Sequence, residues 1–75
     1  MASGKGTGNL RRRLADGLRR ERSRLGWTQE QAAEAAQIHA RHYQKLEEGS
    51  VNVTISTIGK LMVAFGVDID RLFGG

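Results

Sequence analysis

Leu10, Leu14, Leu18 and Leu25 stand four, four and seven residues apart, so on a helix they form one apolar stripe. The stripe predicts a first helix from Leu10 to about Arg24, capped by Asn9 and ended by Gly26. Gly17 lies inside it at a cost of up to about 1 kcal/mol relative to alanine, which close packing of another helix would explain. A second stripe, Ile55, Ile58, Leu61, Met62 and Phe65, predicts a helix that starts at a Thr54 cap and stops at Gly66. Asp68 then caps a short last helix carrying Ile69, Leu72 and Phe73. The β-branched run from Ser50 to Ile55 could pass for a strand, but the chain offers it no second strand to pair with. With two more helices between these stripes, the pattern is all-α: five helices and no sheet.

Those two helices occupy Thr28 to Gly49, TQEQAAEAAQIHARHYQKLEEG. Thr28 can accept a hydrogen bond from a free backbone N–H, and Gln31 at the third helical position completes a capping box with it. Ala32, Ala33, Ala35 and Ala36 give strong helix propensity with little bulk, so a neighbouring helix can come close. Beyond Gln37, the spacing turns Ile38, Tyr43 and Leu46 inward and leaves Ala40, Arg41, Gln44 and Lys45 outward. Gly49 supplies the stop. Two such helices around a turn of roughly three or four residues form a helix-turn-helix, which lays its second helix in a DNA groove. Trp27, just before the capping threonine, is expected to pack on the core as a staple against Ala32 rather than to stack on a base.

Composition narrows the classes. Seventy-five residues hold one domain, and a chain this small buries only about 60% of its unfolded surface. Residues 1–9 read as a flexible tail and residues 10–75 as the helix-turn-helix domain, because the tail is rich in glycine and serine and has too little apolar surface to offset its ordering. Gly4, Gly6 and Gly8 lack the spacing and the preceding strand of a phosphate loop, so the segment is either a cloning remnant or an arm that reaches DNA. There is no cysteine, hence no disulfide, thiolate metal site or thiol nucleophile, which fits a cytoplasmic location. No apolar run approaches the ~18 residues of a membrane span and no signal-peptide core follows the N-terminus. The Asn52-Val53-Thr54 sequon is therefore expected to stay unmodified. The formal net charge of +4 comes mostly from arginine. That balance suits a polyanionic partner, although a solvated arginine-rich helix face would give the same charge.

Other chemistry finds little support. His39 and His42, three apart, could form a ligand pair with Glu30 or Glu34, but the longer zinc signature is missing and no metal or other cofactor is expected. Ser23, His39, His42, Asp68 and Asp70 are scattered over helix ends without a glycine-framed nucleophile, so no enzyme is expected. The helix from Leu10 to Leu25 could lie on a membrane surface, yet its leucines are needed for a core, and no membrane partner is expected.

Several short motifs occur in order: Leu14-x-x-x-Leu18-Arg19-x-x-Arg22; Gly26-Trp27-Thr28-Gln29 with Ala33; Leu46-Glu47-x-Gly49; Ile58-x-x-Leu61-x-x-Ala64-Phe65-Gly66-Val67; and Leu72-Phe73. Together they make the chain resemble the lambda-repressor-like, or Xre-type, helix-turn-helix family over Leu14 to Phe73. The proline-free loop Asn52-Val53-Thr54-Ile55 is similar to that of the small dimeric controller proteins of restriction–modification systems. The resemblance implies a compact five-helix domain that binds double-stranded DNA through its third helix, about residues 39–47. It implies phosphate contact from Thr28 and Gln29 at the start of the second helix. It also implies a groove face of Ala40, Arg41, Gln44 and Lys45, and a DNA-backbone contact from His42. Arg41 is the expected base reader, since a guanidinium matches the O6 and N7 acceptors of guanine. Lys45 could serve a base or a phosphate. Arg22 and Glu47 are implied as a structural ion pair that orients the recognition helix.

The same reading takes the chain as a homodimer on a palindromic operator, with half-sites about one helical turn apart. Val67, Ile69, Leu72 and Phe73 are the candidate dimer contact, with core closure as their alternative role. Three residues depart from the family pattern: Gln37 where glycine is usual, His39 where serine or threonine caps, and Glu48 where asparagine is common. They keep a second function open, a protein-interaction module on the same fold, antitoxin-like or co-regulatory, without base-specific binding. Exposed Arg41 and Lys45 beside Gln29 would favour DNA. A surface dominated by Glu34 and Glu48 would favour a protein.

Overall fold

A computed structural model of the chain describes residues 3–74, with side chains from residue 9 onward. Among the described residues there are five helices and no strand: α1 (Ser3–Leu25), α2 (Gln29–Ala36), α3 (Ala40–Glu48), α4 (Ile55–Phe65) and α5 (Ile69–Leu72). Capping side chains fix four of the starts. The Thr28, Thr54 and Asp68 side chains accept the N–H of Gln31, Thr57 and Arg71 at 3.1, 3.1 and 2.9 Å. The expected capping box is complete, because the Gln31 side chain also accepts the Thr28 N–H at 2.8 Å. His39 caps α3 through Nδ1, which accepts the Arg41 N–H at 3.2 Å. An imidazole nitrogen thus takes the place of a hydroxyl as the capping acceptor.

Helix α1 begins at Ser3, so Asn9 is an interior residue and not its cap. Adding residues to a formed helix needs no new nucleus, and no proline interrupts the segment. Met1 and Ala2, the first residues of the expected tail, lie outside the described residues. The corner between α2 and α3 keeps the left-handed geometry usually given to glycine: Gln37 has φ 58° and ψ 44°. The Ile38 N–H then reaches back to the Ala33 carbonyl at 2.9 Å, closing the end of α2. A left-handed side-chain-bearing residue costs about 1 kcal/mol or somewhat more, and the corner keeps its shape despite that.

The core is built from the middle of α1 outward. Leu14 and Leu18 meet Ala32, Ala33 and Ala36 of α2, Tyr43 and Leu46 of α3, Leu61 and Phe65 of α4, and Leu72. Helix α1 packs on α3 and α5, while α2 packs on α3 and α4. Three stripe residues fall outside this core. Leu10 and Leu25 are partly exposed because α1 is much longer than the helices that cover it, and Ile55, the first residue of α4, is 87% exposed. Trp27 packs on the core as expected, its ring 5.7 Å from that of Phe65 and tilted by 33°. Of the four candidate dimer residues, Leu72 is fully buried, so its role is core closure and it is unavailable to a partner. Val67 and Phe73 are half-buried, and Ile69 is half-exposed.

Gly17 marks the closest approach in the fold. A Cβ there would collide with the backbone carbonyl of Leu72, at the end of α5. Backbone cannot swing aside as a side chain can. Gly17→Ala is therefore expected to destabilise the domain by about 1–3 kcal/mol despite its better helix propensity. Gly59 on α4 has no neighbour within 4 Å of such a Cβ, so Gly59→Ala should be neutral or stabilise by up to about 1 kcal/mol. Urea unfolding of the two variants checks both signs.

Candidate nucleic-acid interface

The position of α3 is set by one buried carboxylate. Glu47 is 2% exposed and receives hydrogen bonds from three elements. Arg22 of α1 grips it with two parallel contacts, Nε to Oε2 at 2.6 Å and Nη2 to Oε1 at 3.1 Å. The Tyr43 hydroxyl, one turn back on α3, donates to Oε2 at 2.6 Å. From the first residue of α2, Gln29 Nε2 donates to Oε1 at 3.0 Å. The expected Arg22–Glu47 pair is present, with Tyr43 and Gln29 added to it. Arg22 also donates from Nη1 to the Trp27 carbonyl at 3.1 Å, and Arg19 Nη1 donates to the Glu47 main-chain carbonyl at 2.6 Å. Burial alone would raise the Glu47 carboxyl, but the bonds from Arg22, Tyr43 and Gln29, with the Arg22 charge, hold it below the usual carboxylate range. The same environment pushes the Tyr43 hydroxyl up, chiefly by burial and then by its bond to Glu47. Arg22 is shifted up mainly by its bond to Glu47.

With one face of α3 so fixed, the opposite face meets solvent. Arg41, His42 and Lys45 are exposed, and Gln44 is half-buried. Ala40, expected outward, is partly buried and packs against the core. Because α3 begins at Ala40, its first turn lies against α2, where a small side chain fits. Arg41 and Lys45 are one turn apart, and neither side chain has an ion-pair or hydrogen-bond partner among the described residues. Glu48 continues the same stripe at the last residue of α3, with the Ser50 hydroxyl 3.3 Å away.

Gln29 has a structural role that the residue pattern did not reveal. One of its amide hydrogens is held by Glu47, leaving the other and the unpaired backbone N–H groups of the first turn of α2 open. Thr28 Oγ1 accepts the cap bond, and its own hydrogen stays available to donate.

A second buried carboxylate, Glu21, was not foreseen. It is 1% exposed, between Arg24 Nε at 2.7 Å and Arg71 Nε at 3.2 Å, with Arg20 Nε at 3.5 Å. Burial alone would raise this carboxyl too, yet the bonds from Arg24 and Arg71 bring it below the usual range. The signal was available: Glu21 stands three residues after Leu18, inside the apolar stripe, with Arg24 three residues further on.

Five helices, with a tight α2–α3 corner and a cationic outer face on α3, define a helix-turn-helix domain. The chain belongs to the lambda-repressor-like, Xre-type helix-turn-helix family: the profile of that family, described as helix-turn-helix, matches residues 18–72. Domains of this family bind DNA and are typically not enzymes. Neither the curated proteins nor the solved structures gave a match to the chain. No helix among the described residues is long and apolar enough to cross a membrane.

Glu47→Ala would strand Arg22 and the Tyr43 hydroxyl, and is expected to cost about 3 kcal/mol or more, read as a fall in melting temperature. Both buried carboxyls titrate lower in the folded chain than their ordinary value of 4.5. Their stabilising contribution is therefore complete above that value and is lost as pH falls through the folded values. Melting temperature should be level above about pH 5 and decline below about pH 4.5. Glu21→Gln should flatten the acid limb, because one of the two linked protonations is removed.

Proposed function

We propose that this chain is a transcription regulator that binds double-stranded DNA sequence-specifically, with α3 in the major groove. It acts as a homodimer on a palindromic operator, in the cytoplasm. The observation that carries the reading is the pairing of unengaged Arg41 and Lys45 on the solvent face of α3 with the rigid carboxylate clamp behind it. A base reader has to be held in register, and a guanidinium without a protein partner is free to grip guanine O6 and N7. Gln29, Thr28 and the open amides at the start of α2 supply the adjacent phosphate site. Lys45 takes a base or a neighbouring phosphate, and His42 lies at the backbone. Gln44 and Ala40 border the reading surface rather than lead it, since both are partly buried.

The exposed carboxylates of Glu34 and Glu48 favour the second reading, a protein-interaction module. Glu48, however, is at the C-terminal end of α3, whereas helix-turn-helix recognition is concentrated on the N-terminal part of that helix. Arg41 is the second residue of α3. The DNA reading therefore has the better-placed charge. The proline-free α3–α4 loop, shared with the small controller proteins, fits a compact regulator of this kind.

Selection of bound sequences from random duplexes tests it. The expected result is a palindromic motif, with Arg41→Ala losing preference at one position per half-site at a cost of about 1–3 kcal/mol. With about four to six phosphates engaged per subunit, log affinity should fall with log salt at a slope of roughly −4 to −5 per subunit. No enriched motif and a flat salt response would transfer the function to a protein partner.

A further inference from the structure

We propose that the cleft between the N-terminal half of α1 and the end of α3 holds a backbone phosphate of bound DNA, with Arg12 as its contact. This deepens the proposed function and rests on its DNA reading. Arg11, Arg12, Asp16, Arg19, Glu48 and Gly49 line the cleft. The two helices run close there, since a Cβ on Gly49 would lie 3.6 Å from the Arg11 carbonyl oxygen. The cleft encloses about 310 Å³, on the order of ten water volumes, which admits a phosphate group with part of its hydration.

The charges in the cleft are not equally free. Arg19 gives Nη2 to Asp16 at 2.7 Å and Nη1 to the Glu47 carbonyl at 2.6 Å, so that pair is engaged within the fold. Arg11 gives Nη1 to the Asn52 side chain at 2.9 Å, while its Nε is a buried donor with no partner among the described residues. Arg12 is exposed and has neither an ion pair nor a side-chain hydrogen bond among the described residues. Only Glu48 stands against these two guanidiniums, so the cleft keeps an excess of cation and open donors suited to phosphate oxygens.

Placement decides the occupant. Glu48 follows Arg41 and Lys45 at spacings of four and three, so the three form one exposed stripe that runs into the cleft. With Arg41 at the base edges, α3 continues for about 10 Å to Glu48. That carries its end towards the phosphates that wall a groove about 12 Å wide. Glu48 alone would repel them. Arg12, on the neighbouring helix, turns that end of the stripe attractive. A lone anion would meet Arg11 and Arg12 but leave Arg41 and Lys45 unused, whereas a continuous polyanion meets all four.

Fluorescence anisotropy on a random-sequence duplex and on a selected operator tests the contact, with melting temperature read alongside. Arg12→Ala is expected to weaken both complexes about fivefold to tenfold near 0.1 M salt. It should also make the slope of log affinity against log salt shallower by about one. Its melting temperature should match that of the parent, because Arg12 makes no side-chain bond in the fold. Glu48→Gln should tighten binding by roughly twofold to fivefold. In the Glu48→Gln background, Arg12→Ala should still lose affinity and slope. If its effect vanishes there, Arg12 only screens Glu48, and the contact is overturned. An unchanged slope with a lowered melting temperature makes Arg12 structural and overturns it too. Failure of both readings at once shows as a parent that binds no duplex. A parent that selects no motif, yet loses affinity and slope on Arg12→Ala, sinks the sequence-specific reading alone. A motif-selecting parent that is indifferent to Arg12→Ala sinks this contact alone.

Discussion

Everything about the orientation of α3 depends on the Glu47 carboxylate. Moving an ionised carboxyl out of water costs several kcal/mol, and only a full set of partners makes the buried state tolerable. Here the set comes from three helices: a bidentate guanidinium from α1, an amide from α2 and a hydroxyl from α3 itself. If α3 rotated or slid, the three bonds from α1 and α2 would be strained together, while the Tyr43 bond, internal to α3, would move with it. The bonds from α1 and α2 thus add a directional restraint to the apolar packing of Tyr43 and Leu46. Specificity of geometry is what this costly arrangement supplies.

The arginines of α1 are mostly structural, which changes the meaning of the basic composition. Arg19 donates to the Glu47 carbonyl at the end of α3, and Arg24 to the Phe65 carbonyl at the end of α4. Arg20 and Arg13 donate to the Arg71 and Phe73 carbonyls at the end of α5. Helix C-termini leave carbonyls unpaired and carry partial negative charge, so cationic donors are favoured there. Helix α1 therefore ties down the trailing ends of three other helices in addition to providing core leucines. Arg11 Nη1 donates instead to the Asn52 side-chain oxygen in the α3–α4 loop at 2.9 Å. Most of the positive charge of the chain is spent inside the fold. The cations left unengaged among the described residues are fewer, and Arg41 and Lys45 are those on α3.

Local signals were legible in the sequence where a single residue type does a single job. The caps at Thr28, Thr54 and Asp68, the buried leucines of α1 and the ion pair of Arg22 with Glu47 could all be anticipated. Gly17 could be read as a close approach because glycine weakens a helix interior, although Gly59, with open space around it, shows that the sign alone does not decide. What stayed hidden depends on length and on partners distant in sequence. Nothing in the pattern of α1 says that its ends outrun the helices above it, so Leu10 and Leu25 looked as buried as Leu14. For Glu21 the stripe gives only the position and the Arg24 partner, and Arg71, fifty residues away, completes its site. Gln29 appeared to have one role because its spacing from Glu47 becomes a contact only once the corner is folded.

The nine residues of α3 divide their work by face. Tyr43, Leu46 and Glu47 point into the domain, and Arg41, His42 and Lys45 point away from it. The holding groups and the outward groups share no side-chain hydrogen bond or ion pair among the described residues, so exchanging the outward side chains leaves the Glu47 bonds intact. Gln29 is the exception, for it serves the Glu47 cluster with one amide hydrogen and offers the other at the start of α2. Any anion that pulls on Gln29 acts on the carboxylate that holds α3. Through that amide, an anion held at the start of α2 and the angle at which α3 is presented are mechanically linked. A phosphate contact there would steady α3 as well as attach the domain.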